Sequence, residues 1–145
     1  MNEQDFEYSG DISMNSLVGR TITALWIERD GFTIIFETSE GNVTYVTEEE
    51  CCSETWFSDI TGVENLLGAL VVATGDVDLQ DYNTDDGRCR HVSDRVYGIK
   101  IKTTKGYADI VFRNSSNGYY GGSICRVSSV SPSSDFEKIV KDWTE

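Results

Sequence analysis

The sequence predicts an α+β fold that is mainly antiparallel β: a six- or seven-stranded meander sheet with a short crossover helix and one helix close to the end of the chain. Three observations carry this. Short runs rich in β-branched and aromatic residues recur along the chain, as in Thr21–Ile27, Phe32–Thr38 and Val43–Thr47. Turn-forming residues, Arg29-Asp30-Gly31 first among them, separate the runs at hairpin spacing. Only near the end of the chain do apolar residues recur with a clear helical period.

Met1–Ser16 has few large apolar groups and no period, which predicts a flexible tail ahead of a single β-rich domain at 17–145. The first three strands follow one another through tight turns. In the second, Phe32, Ile34 and Phe36 fall on one face and Thr33, Ile35 and Glu37 on the other. The next segment is unusual: Cys51-Cys52-Ser53-Glu54-Thr55-Trp56-Phe57 sets two cysteines and an aromatic pair inside an acidic run. It reads as a crossover, with Ser53 or Thr55 placed to cap a short helix over Trp56–Ile60. The glycines that follow leave room for a helical turn or two. Leu70–Leu79 reads as a fourth strand, Asp81–Gly87 as an acidic loop, and Val92–Thr103 with Tyr107–Arg113 as a second hairpin turning at Thr104-Lys105-Gly106. In that hairpin Ala108, Ile110 and Phe112 face inward. A last strand is expected at Ser123–Val127. Ser134 and Glu137 then fit a capping box, and Phe136, Ile139, Val140 and Trp143 form the stripe of the expected helix.

At 145 residues one core suffices, and no stretch approaches the roughly 18–20 apolar residues that span a bilayer. The first residues carry Glu3, Asp5, Glu7 and Asp11 but no basic start, which predicts a cytoplasmic protein without an export signal. A net charge of −13 opposes direct binding to nucleic acid or to an anionic membrane. The charge is uneven, because Arg88, Arg90, Arg95, Lys100, Lys102 and Lys105 stand together against Asp94 alone. The protein is therefore an acidic body with one basic strip.

The loop Asn114–Gly122 is the best candidate binding element. Its glycines and asparagines let the backbone present N–H groups to an anion, Tyr119 and Tyr120 offer flat surfaces for a base, and Arg113 and Arg126 flank it. A long hairpin loop with packed tyrosines is the plainer alternative. Arg88, Arg90 and Arg95 suit phosphate or carboxylate recognition. Lys100 and Lys102 share one face of their strand, opposite Tyr97, Ile99 and Ile101, as a solvent face would. Cys51, Cys52, Cys89, His91 and Cys125 invite a zinc reading, but adjacent cysteines point apart and make poor chelating pairs. No metal, cofactor or catalytic residue is assigned.

The motifs Cys51–Phe57 and Arg113-Asn114-Ser115-Ser116-Asn117-Gly118-Tyr119-Tyr120-Gly121-Gly122 resemble a family of small acidic proteins of unknown function encoded by bacteriophages and bacteria, over about Leu17–Val127. The resemblance implies a phage accessory protein in a bacterial cytoplasm. Such a protein would sequester a small anionic, nucleotide-derived ligand such as a host immune signal. The ligand-binding residues expected are Trp56, Arg88, Arg90, Arg95, Arg113, Asn114, Asn117, Tyr119, Tyr120 and Arg126. The alternative is an acidic inhibitor or DNA mimic acting on a host protein. Exposed strand edges make a homo-oligomer possible.

Overall fold

A computed structural model describes residues 13–48, 53–78, 93–116 and 123–145. Asn15–Leu17 forms one 3-10 turn, followed by β1 (Ile22–Glu28), β2 (Thr33–Thr38), β3 (Gly41–Glu48), β4 (Glu54–Thr61), a single helical turn α1 (Val63–Leu66) and β5 (Val71–Asp78). The second half holds β6 (Ser93–Thr103), β7 (Gly106–Ser116), β8 (Ser123–Val127), β9 (Phe136–Lys138) and β10 (Trp143–Thr144). All the strand pairings among the described residues are antiparallel. The fold is mainly antiparallel β, as the alternation predicts, but the strands divide into two five-stranded sheets, β8-β3-β2-β1-β9 and β10-β4-β7-β6-β5, rather than one.

One apolar core joins the sheets. Leu25, Ile27, Ile34, Phe36, Val43 and Tyr45 of the first sheet meet Phe57, Ile60, Ile99, Ile101, Ile110 and Phe112 of the second, with Met14, Leu17, Val63 and Leu66 closing the sides. Backbone hydrogen bonds fix how the sheets cross. The Gly68 N–H donates to the Ile22 carbonyl and the Val71 N–H to Arg20, so β1 starts beside the head of β5. Its far end reaches β4, where the Phe57 N–H donates to the Gly31 carbonyl at 2.8 Å. Since β5 and β4 lie on opposite sides of the β6–β7 pair, the strands of the first sheet run across those of the second, as in orthogonally packed sheets.

Three sequence expectations are overturned. Trp56–Ile60 is strand rather than helix: Thr55, Trp56 and Phe57 are all buried, and only an extended segment can bury consecutive large side chains on both faces of a sheet. The helical stripe at 134–143 is also absent. A helix of ten residues is marginal by itself, whereas Phe136–Lys138 completes the open edge of β1 through backbone bonds and Ile139 reaches the core. Val140, assigned to the same apolar stripe, is exposed. The single sheet fails because alternation reports burial without reporting which layer a strand joins. The α1 turn does sit in the crossover, after Gly62.

Gly62 holds φ at +76°, and a Cβ there would lie 2.8 Å from the Ala108 Cα and closer still to the Tyr107 carbonyl. Gly41, at φ +112°, has open space around it. Gly62→Ala is expected to cost more than about 2 kcal/mol and Gly41→Ala about 1 kcal/mol, since only the first adds a backbone clash to the strain of positive φ. Urea denaturation of the two variants checks this ordering.

Candidate functional site

The β6–β7–β4 surface facing the core is built in layers. Ile99 opposes Ile110, and Ile110 opposes Ile60. One layer on, the Phe112 ring stacks on Tyr97 at 4.9 Å between centroids and meets Phe57 edge-on at 6.2 Å. The next layer is polar. Asn114 lies between Thr55 on β4 and Arg95 on β6. Asn114 Nδ2 donates to Thr55 Oγ1 at 2.9 Å, and both side chains are fully buried. Asn114 Oδ1 has no hydrogen-bond partner among the described residues. A buried carbonyl left so costs about 1–3 kcal/mol, so this atom needs a donor from elsewhere.

Three connections leave this region: β3 to β4, β5 to β6, and β7 to β8. Arg88, Arg90, Asn117, Tyr119 and Tyr120, all expected in the site, lie outside the described residues, as do Cys51, Cys52, Cys89 and His91. The remaining expected residues divide between faces. Arg95 and Asn114 share the core-facing side, whereas Arg113 opposes Trp56 and Val96 on the other. Consecutive strand residues point apart, so Arg113 and Asn114 cannot approach a ligand from the same side. Trp56 is fully buried and presents no open ring for stacking. Arg126 belongs to the first sheet, opposite Tyr45 and on the side of β8 that carries the core residue Ile124.

Arg113 lines a small cleft with Ser58, Asp59, Thr144 and Glu145. Two acidic residues beside it make that cleft a poor seat for an anion. The basic strip follows its expected alternation: Lys100 and Lys102 are exposed, while Ile99 and Ile101 are core residues. Lys100 Nζ stands 3.5 Å from Asp109 and 5.4 Å from the centre of the exposed Tyr107 ring. Lys105 Nζ donates to the Leu67 carbonyl. Cys125 is buried, and no group of three metal-ligating side chains occurs among the described residues. No helix among them is long and apolar enough to cross a membrane.

Thr55 belongs to this layer without any signal from its residue type, and Asn114, expected at the start of a loop, lies within β7. A signal was available. The inward series Ala108, Ile110, Phe112 continues in step to Asn114, and Phe57 steps back to Thr55.

Fold and site together define a two-sheet antiparallel β protein whose apolar core ends in a buried polar layer. The chain belongs to the family described as a domain of unknown function, DUF7448, whose model matches residues 15–126. No curated protein and no solved structure shows significant similarity to it.

A second cleft, lined by Glu28, Arg29, Asp30 and Asp135, lies at the β1–β2 turn. Partial burial pushes the Glu28 carboxyl above its ordinary value of 4.5; Asp30 and Asp135 push the same way, against a hydrogen bond with Thr33. A raised carboxyl favours folding most below its unfolded pKa, and that contribution is lost as pH rises through the folded one. Glu28→Gln should therefore gain stability relative to the parent as pH rises above 4.5. Denaturation curves at several pH values check the sign: a difference that stays flat, or reverses, refutes it.

Proposed function

We propose that the protein is a binding module that captures a small anionic ligand, nucleotide-derived in its chemistry, at the polar end of its core. The observation that carries this reading is the buried Asn114 carboxamide, bonded to Thr55 at one end and lacking a partner among the described residues at the other. A carboxamide offers both donor and acceptor, the pattern that reads the edge of a base. Arg95, directly opposite Asn114, supplies positive charge to the same layer.

The expected loop residues Asn117, Tyr119 and Tyr120, with Arg88 and Arg90, belong to connections that start from this layer, and they are the groups we assign to stacking and phosphate contact. Arg126, on β8 of the first sheet, stays a candidate contact on the strength of its charge. Trp56 and Arg113, on the opposite face, serve by supporting β4 and β7 rather than by touching the ligand. The resemblance to acidic phage and bacterial proteins makes a host immune signal the ligand class of choice, and an anti-defence role the purpose of capture.

A second reading has its own observation. Leu70 and Val72, at the start of β5, and Tyr107, at the start of β7, are exposed, and such groups suit contact with a protein. In that reading the acidic protein inhibits a host factor.

Thermal melts against a panel of linear and cyclic nucleotides separate the two. A ligand at a hundredfold excess over its Kd adds about 2.7 kcal/mol and raises Tm by several degrees. Arg95→Ala and Asn114→Ala should each weaken that ligand about 10- to 100-fold, the loss of one or two charge-assisted or buried hydrogen bonds. Unchanged affinity in folded variants would refute the assignment.

A further inference from the structure

Residues 128–145 lie beyond the matched span of the family and attach to the domain in an unusual way. From the end of β8, at one side of the first sheet, the chain crosses the outer surface of that sheet to β9, at its other side. The Val130 N–H donates to Thr44 Oγ1 at 3.3 Å and its carbonyl accepts from Asn42 Nδ2 at 3.1 Å, so the crossing runs over β3. Thr44 and Ile35 beneath it are fully buried although neither belongs to the apolar core. The chain then passes to the second sheet and ends as β10 on the edge of β4. One segment therefore covers an edge in each sheet.

Its hold is mostly backbone. The Arg29 N–H donates to the Asp135 carbonyl, the Ile139 N–H to Leu25 and the Glu145 N–H to Ser58, while Asp142 Oδ1 accepts the Val63 N–H that opens α1. Ile139 is its one buried apolar side chain, with Phe136 and Trp143 partly covered. Val130 and Val140 are exposed. The crossing itself, Ser128-Ser129-Val130-Ser131-Pro132-Ser133-Ser134-Asp135, is the composition of a linker. Short strands joined to a core by edge hydrogen bonds and one anchor open at much lower cost than the sheets beneath them.

We propose that the edges of β1 and β4 form a strand-accepting surface, filled in this molecule by its own residues 128–145 and filled in a dimer by the same residues of a second copy. The second copy is the partner this surface fits, because it carries the identical strand pairings, the identical Ile139 anchor and the identical Asp142 cap. Exchange of identical elements replaces each contact with its equal, so the dimer needs no new interface to be isoenergetic with the closed monomer except for association entropy. The geometry makes the crossing the hinge. It spans four strand spacings, about 19 Å, and its reach when extended is about 30 Å, so the closed form tolerates the loss of about three residues and no more.

The test uses the full-length protein and a fluorescent synthetic peptide of residues 128–145. On incubation at a temperature below unfolding, the peptide should enter the protein saturably and co-elute with it on size exclusion, while an Ile139→Asp peptide enters about tenfold less or worse. Hydrogen exchange should then show the protein's own 136–145 amides released and the β6–β7 amides unchanged. Failure of the wild-type peptide to enter, after incubation long enough for 136–145 amides to exchange fully, overturns the proposal. A second variant gives an independent reading. Removing Ser128–Ser131 shortens the reach to about 17 Å, below the span, so this chain should be dimeric by light scattering with 136–145 still protected. A monomer with that protection would contradict the exchange.

Discussion

The crossing of two sheets over one apolar core is the constraint on which the rest of this structure depends. It is fixed at both ends of β1, where the backbone of residues 68–71 bonds to Arg20 and Ile22 and where Gly31 accepts the Phe57 N–H. With β1 laid across the second sheet, Leu25 and Ile27 contribute to the same core as Ile99, Ile110 and Phe112, residues some 70 or more positions later in the sequence. Crossed sheets cover each other's middles and leave corners and edges open. Two consequences follow. The core-facing surface of β7 runs out of apolar cover beyond Phe112 and ends in Asn114, and the outer edges of β1 and β4 are left to be covered by the residues that follow β8.

The polar layer is where fold and proposed function meet. Thr55, Asn114 and Arg95 stand on three adjacent strands in direct register, so their spacing is set by the sheet rather than by a loop. A site held on paired strands is preorganised, and that limits the entropy a ligand must overcome. The cost of the arrangement is a buried carbonyl of Asn114 that the described residues do not satisfy. A ligand donor at that position would remove the cost, which links stability to occupancy. The large negative charge of the chain works in the same direction as selectivity, because it disfavours polyanions.

Much of the β architecture was legible because its signals are local. Thr21–Ile27 reads as a strand from its β-branched content, Asp30-Gly31 as a hairpin turn, and Ala108, Ile110 and Phe112 as an inward face, and each stands in the structure as read. What failed depended on distant partners. Phe136, Ile139, Val140 and Trp143 have helical spacing, yet the unpaired edge of β1 was waiting for a strand, and no local pattern reports an edge formed by residues more than a hundred positions earlier. Trp56 is expected among the ligand contacts for its aromatic ring, whereas in the β4–β7 pair it is buried opposite Arg113, and its burial depends on the pairing of strands more than fifty positions apart. The site was half legible: Asn114 and Arg95 were singled out by residue type, but their shared face, and the presence of Thr55 on it, required the register of three strands.

Native mass spectrometry of the protein purified from bacteria, recorded intact and again after denaturation, tests the central claim most directly. Capture of a small anion at the Asn114 layer predicts an intact mass above that of the chain, and release on denaturation of a phosphate-bearing species at one equivalent per site. A clean mass equal to that of the chain alone, obtained again after incubation with a lysate of the host cell, would contradict it.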